Sequence, residues 1–367
     1  MSIPLHSQGV GGPSASAGRV IVVGASAGGL EALGVLLAGL PADLDAPVCV
    51  VMHTSPHGPG RAPRVLARAS RLPVAHATDL EPLEAGRVYI APPDHHLVVE
   101  PRILRLTRGP RENRQRPAVD TLFRSAAYVY GPQVIGVILS GALDDGTAGL
   151  WTVKDRGGIA LVQDPAEATF PSMPQSAIEY VAVDHVAPLA ELGPLLARLV
   201  AHSPSSRGAA PVSRELEALT QIAKGDSAID RGLFELGPTT PFTCPECAGV
   251  LVRLREGGVP TFRCHTGHAF SLDTLMSAAS EHTEEILWNA LRGLDEMRLL
   301  LEHAAQHARE RKESVEAEAA DGRARDAQRQ SEVLRAVVMA HQQLARENLQ
   351  RRDSGATGAP DDTRRSA

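Results

Sequence analysis

The chain has 367 residues, 43% of them hydrophobic and 22% charged, with a formal net charge of -6, the profile of a protein that buries a core in water. That balance supplies no basic field to draw nucleic acid or an anionic membrane surface. No apolar run approaches the roughly 20 residues a membrane span needs. Residues 1–18 are rich in Ser, Gly and Pro and lack the apolar core of a signal peptide. They read as a disordered lead, and the protein as cytoplasmic with no membrane insertion.

Over 19–201, apolar β-rich runs alternate with helical patterns. Strands are predicted at 20–23, 48–52, 87–90, 134–139 and 159–162, several as continuous apolar runs of the kind a parallel sheet buries on both faces. Helices are predicted at 30–37, 64–68, 119–130, 148–155 and 189–199. Such alternation gives an α/β fold with a doubly wound, mostly parallel sheet. Residues 97–106 look like a hairpin added to that sheet. Residues 202–240 read as a linker, opening on the polar stretch 203–208. A small module is expected at 241–271 and a helical hairpin or coiled coil at 272–350. In the latter, Leu287, Leu291, Leu294, Met297, Leu301, Ala305 and Ala308 come close to a heptad seam. Asp321-Gly322 interrupts it, and Val333, Val337, Ala340 and Leu344 carry the second stretch. The polar segment 351–367 reads as a disordered tail.

Three of these strands end in residues that carry chemistry. The first runs into Gly24-Ala25-Ser26-Ala27-Gly28-Gly29 just before a helix. Small neighbours permit the sharp turn that lifts a serine hydroxyl out of a sheet, and the helix N-terminus behind it offers N–H groups to an oxyanion. The bland reading is a tight turn or phosphate loop, but the G-x-G-x-x-G spacing of a dinucleotide site is missing. The second strand ends at His53, on the carboxyl edge where doubly wound sheets place their sites, and imidazole is a suitable general base. The third empties into Ser140-Gly141-Ala142-Leu143-Asp144-Asp145-Gly146. A carboxylate there can orient the imidazole, although Asp-Gly also serves turns and caps.

Together with Tyr89-Ile90-Ala91-Pro92-Pro93-Asp94-His95-His96, Arg116-Pro117-Ala118-Val119-Asp120-Thr121-Leu122-Phe123 and Asp164-Pro165-Ala166-Glu167-Ala168 through Met173-Pro174, these loops resemble the catalytic domain of the chemotaxis protein-glutamate methylesterases over 19–201. The resemblance implies Ser26 as nucleophile, His53 as base and Asp145 as orienting acid, with backbone donors near Ala27 and Ala142 for the oxyanion. It implies hydrolysis of glutamyl methyl esters on a methyl-accepting receptor-type protein, release of methanol, and glutamine deamidation as an added activity. No metal or organic cofactor is expected to take part in catalysis. The family's aspartate loop usually reads T-G-M-G-x-D-G. Leu143 therefore replaces a glycine, and Asp144 stands as a second candidate acid. Family members usually carry an N-terminal receiver domain over the active site. With the sheet starting near residue 19, the expectation is a receiver-less protein, with such regulation excluded in cis and open in trans. The rival reading is a non-enzymatic signalling scaffold, which intact Ser26, His53 and Asp145 disfavour.

Cys244-Pro245-Glu246-Cys247 and Cys264-His265-Thr266-Gly267-His268 form two knuckles separated by hairpin-like strands at 250–254 and 261–263. Clustered cysteines in a cytosolic chain point to metal before disulfide. The expected site is a zinc ribbon with Cys244, Cys247, Cys264 and His268 as ligands, since His265 beside Cys264 would chelate awkwardly. Four protein ligands close the shell and make the zinc structural, and the module is expected to be separable from catalysis. The C-terminal helices are read as a route to self-association or to a signalling partner.

Overall fold

The structure, a computed structural model, describes residues 18–58, 60–202 and 211–353, with side chains to residue 343. The expected lead and tail lie outside these residues, save residue 18 and residues 351–353, which close the last helix. In chain order the elements are β1 (Val20–Ala25), α1 (Gly29–Ala38), β2 (Val48–Met52), α2 (Ala62–Leu66), β3 (Val74–His76), β4 (Glu81–Pro82), β5 (Val88–Ile90), β6 (His96–Glu100), β7 (Ile103–Thr107) and α3 (Val119–Tyr130). Then follow β8 (Val134–Ile138), α4 (Thr147–Asp155), β9 (Ile159–Gln163), α5 (Ser172–Tyr180), β10 (His185–Ala187), α6 (Leu189–Ala201), α7 (Arg214–Ala223) and α8 (Leu233–Leu236). The last are β11 (Thr239–Thr243), β12 (Val250–Glu256), β13 (Val259–Cys264), β14 (Ala269–Ser271), α9 (Leu272–Glu310) and α10 (Ser314–Asp353). They fall into two compact units, Met1–Thr274 and Leu275–Ala367.

Seven strands form one sheet in the order β10-β9-β8-β1-β2-β5-β3, and each neighbouring pair is parallel. Strand order reverses at β1, so the chain winds outward on both sides of it and leaves a crevice at the carboxyl ends of β1, β2 and β8. Alternate residues feed two cores. Val20, Val22, Cys49 and Val51 pack with Leu122 and Phe123 of α3 on one face. Ile21, Val23, Val48 and Val50 pack with Leu33, Leu36, Leu37, Leu192 and Leu196 of α1 and α6 on the other. This double burial is why the strands read as unbroken apolar runs.

The hairpin over 97–106 exists as β6 and β7, but it joins β4 in a separate three-stranded sheet and does not extend the parallel one. Its Leu97, Val99 and Leu104 pack into the core cluster that contains α3, which is thereby covered on two sides. The span 202–240 is more than a linker. Ser213 caps α7 by accepting from the Leu216 N–H, and Leu219, Ile222 and Leu233 pack against Val252 and Leu254. Only residues 203–210 of that span lie outside the description. β11 to β14 form a four-stranded antiparallel sheet, with β12 and β13 joined through Gly257, whose φ of 67° suits glycine.

In the second unit α9 and α10 run antiparallel, joined by Ser280 with His341 and by Ser331 Oγ donating to Asp295. The turn comes at residues 311–313, with Lys312 at φ 63°, and not at Asp321-Gly322, which lies inside α10. The inward face of α9 follows the expected stripe at Leu291, Ala305 and Ala308, but Met297 faces outward. Among the described residues of α10, Ala317, Ala324, Ala327, Ser331 and Val338 are buried, while Val333 and Val337 are exposed. Leu344 lies outside the described side chains. Among the described residues no helix is long and apolar enough to cross a membrane.

Candidate active site and metal centre

The carboxyl ends of β1, β2 and β8 converge through the backbone. The Ser26 N–H donates to the Ser140 carbonyl (3.0 Å), and the His53 N–H to the Ala25 carbonyl (3.1 Å). Close approach is possible because Gly141 has no side chain: a Cβ there would come within 2.0 Å of Met173 Sδ and 2.9 Å of Ser26 Cβ. Ser26 Oγ stands 3.0 Å from His53 Nδ1, and His53 Nε2 stands 2.7 Å from Asp145 Oδ2. The imidazole is 11% exposed and the carboxylate 4%, so the base meets solvent while its partner does not.

Asp145 also accepts from Asn113 Nδ2 (2.9 Å), the Val119 N–H (2.7 Å) and the Asp120 N–H (3.3 Å). Burial works against its charge, but the hydrogen bonds from His53, Asn113 and Val119 outweigh it and hold the carboxyl below the usual range. An ionised carboxylate only accepts, so the Nε2–H of His53 is the donor to it and Nδ1 is left to accept from the Ser26 hydroxyl. Asp144 is turned away: it accepts from Ser271 Oγ (2.7 Å) and Thr274 Oγ1 (3.3 Å), and burial pushes it up to about 6. Neighbouring Asp120 is held well above the ordinary carboxyl range, by burial first and by the Asp145 charge second.

Ala142 is exposed, next in the chain to Gly141, and Ala27 opens the turn into α1. Among the described residues neither N–H donates to a backbone carbonyl. Leu143 holds φ 61°, a left-handed conformation that glycine takes freely and leucine does not. The sequence gives no hint of Asn113. It sits at φ 50° in a loop, and its carboxamide bridges Asp145 and Asp120.

Cys244, Cys247, Cys264 and His268 bring their ligand atoms within 4.8 Å of one another. Cys247 Sγ lies 3.6 Å from Cys264 Sγ, and His268 Nδ1 lies 3.7 Å from Cys244 Sγ and 3.6 Å from Cys264 Sγ. Metal–sulfur bonds of about 2.3 Å and metal–nitrogen bonds of about 2.0 Å give a tetrahedron with edges of roughly 3.5–3.8 Å, so the donor set fits a thiophilic tetrahedral ion. His268 Nε2 faces Glu246 at 3.3 Å, the outer carboxylate that commonly orients a ligating imidazole. His265 is not part of the group.

Parallel sheet, strand-end serine and histidine-carboxylate pair define the class, a carboxylic ester hydrolase. The family model of the CheB methylesterase matches residues 21–196. A Leptospira interrogans protein provisionally named protein-glutamate methylesterase/protein-glutamine glutaminase is 40% identical over 182 residues, 49% of this chain and 94% of its own. A relative of the same name from Anaeromyxobacter dehalogenans is 44% identical over 174 residues, 47% of this chain and 51% of its own. The crystal structure of the Thermotoga maritima CheB methylesterase catalytic domain shares 35% identity, with a TM-score of 0.49 over 50% of this chain and 98% of that one. The chain belongs to the CheB methylesterase family.

Proposed function

We propose that the chain hydrolyses glutamyl methyl esters on methyl-accepting receptor-type proteins, with Ser26 as nucleophile, His53 as general base and Asp145 as orienting acid. The observation that carries this reading is the continuous relay from Ser26 Oγ through His53 to Asp145, at 3.0 and 2.7 Å. His53 Nδ1 accepts the hydroxyl proton as Ser26 Oγ attacks the ester carbonyl. The ionised Asp145 stabilises the resulting imidazolium without taking its proton. The N–H groups of Ala27 and Ala142 hold the oxyanion. Collapse of the tetrahedral intermediate breaks the bond to the methoxy oxygen, which leaves as methanol with the proton from His53. Water, activated by the same imidazole, then cleaves the glutamyl-Ser26 ester and restores the hydroxyl. A glutamine side chain presented at the same carbonyl position would release ammonia by the same steps, in keeping with the second activity in the relatives' names.

We also propose that Cys244, Cys247, Cys264 and His268 hold a structural Zn²⁺. Closed ligation by four protein groups leaves no place for a reacting water, and no catalytic step passes through the ion.

A fluorophosphonate probe tests the nucleophile. The full chain is expected to take up one probe on Ser26, located by peptide mass spectrometry, and the His53→Ala chain is expected to label slowly. Labelling of another serine, or equal rates in the two chains, would contradict the assignment.

A further inference from the structure

The metal knuckle Cys264–His268 is also the turn that joins β13 to β14. The Cys264 N–H donates to the His268 carbonyl (3.0 Å), and the Gly267 N–H donates to the Cys264 carbonyl (2.8 Å). Both strands leaving this turn grip the loop that carries Asn113. On the β13 side, Arg263, next to a ligand, reaches Glu112 Oε1 with Nη2 at 2.8 Å. On the β14 side, the Asn113 N–H donates to the Ala269 carbonyl (2.8 Å). The Ser271 N–H donates to Asn113 Oδ1 (2.8 Å). Asn113 Nδ2 in turn donates to Asp145 Oδ1 (2.9 Å). Two hydrogen bonds therefore separate Ser271, three positions past the candidate ligand His268, from the carboxylate that faces His53.

We propose that the metal-closed ribbon positions Asp145 through Ser271 and Asn113, so that metal occupancy sets the turnover of the esterase. The proposal rests on the esterase reading of Ser26, His53 and Asp145, and it replaces the expectation that the ribbon is separable from catalysis. Binding free energy in so small a metal module is largely folding free energy. Without the ion, the two knuckles are no longer tied, and the β13–β14 turn is free to open. Ser271 then ceases to fix the Asn113 carboxamide. A carboxylate and imidazole displaced by a fraction of an ångström lose much of their catalytic advantage. Asn113 is thus a positioning residue, since it touches Asp145 and no reacting atom.

The test uses the full chain in two forms, unaltered and Asn113→Ala, each loaded with zinc and then stripped by a chelator. Zinc content is measured directly, kcat and KM are measured on a small methyl ester, and the downfield proton of the His53–Asp145 hydrogen bond is followed by NMR. Zinc removal from the unaltered chain should lower kcat about 10–100-fold with little change in KM, a loss of the size that supporting interactions of a site commonly carry. It should also weaken the downfield signal. Zinc-loaded Asn113→Ala should bind the metal fully yet show a similar loss of kcat, and stripping it should add little, the non-additivity of residues in one network. The proposal is overturned if the unaltered chain takes up no zinc, if stripping leaves kcat and the downfield signal unchanged, or if stripping costs the same factor in both forms. Should stripping unfold the chain, zinc-loaded Asn113→Ala decides alone: unchanged kcat overturns the proposal. Failure of the esterase reading looks different, with no Ser26-dependent turnover in the zinc-loaded chain, and the downfield proton then still reports whether metal reaches Asp145.

Discussion

Asp145 accepts hydrogen bonds from His53, Asn113, Val119 and Asp120, whereas the adjacent Asp144 faces Ser271 and Thr274. The two carboxylates should therefore separate under mutation. Asp145→Asn presents an amide where His53 needs an acceptor, and kcat should fall about 10³–10⁴-fold. Asp144→Asn keeps an acceptor oxygen for Ser271 and should cost far less. Methanol release measured on both variants checks this, and reversed effects would move the role to Asp144. The convergence of Ser26, His53 and Asp145 was legible because each follows a buried strand, Ser26 and His53 directly and Asp145 in the loop after β8, and the strand pattern places all three at one sheet edge. Asn113 was not, because its partners Asp145 and Ser271 lie 32 and 158 residues away. No local periodicity encodes such a bridge.

Among the elements, the loop after β8 departs from what its residues prefer. Leu143 occupies φ 61°, at a cost of about 1–2 kcal/mol for a residue with a Cβ. Leu143→Gly should recover about 1 kcal/mol, less what its half-buried side chain contributes, and raise the midpoint of thermal unfolding. A lowered midpoint would mean that leucine packing outweighs the backbone strain. The long C-terminal helices show another limit of sequence reading. Their helical character was evident, yet the inward face of α10 is lined by Ala317, Ala324 and Ala327, while the larger Val333 and Val337 point outward. Ranking residues by hydrophobicity misphases a seam built mostly from alanine. The segment before the ribbon misled in the opposite direction, since its polar opening hid α7, whose Leu219 and Ile222 are core residues.

At the scale of the whole molecule, one buried ion-pair network joins the parallel-sheet region to the ribbon. Glu112 meets Arg124 (2.9 Å) and Arg263 (2.8 Å), and Arg124 meets Glu256 (3.0 Å). Burial opposes ionisation of Glu112, but Arg124 and Arg263 prevail and lower it to about 2 from 4.5. A depressed carboxyl stabilises the fold above its unfolded value and loses that contribution as pH falls from about 4.5 through 2, on the order of 3 kcal/mol in all. Glu112→Gln should destabilise the chain by about 3–5 kcal/mol near neutral pH, because Arg263 loses its buried carboxylate and Arg124 keeps only Glu256. The variant should also lack this part of the acid limb. Urea unfolding between pH 2 and 7 measures both, and equal stability of the two chains at neutral pH would show that the network holds nothing together. The central claim, a serine esterase acting on glutamyl methyl esters, is tested most directly by methanol release from a methylated chemoreceptor. The unaltered chain should release methanol in step with loss of the methyl esters, and a folded Ser26→Ala chain should release none above the uncatalysed rate. Substantial release by Ser26→Ala would contradict the account.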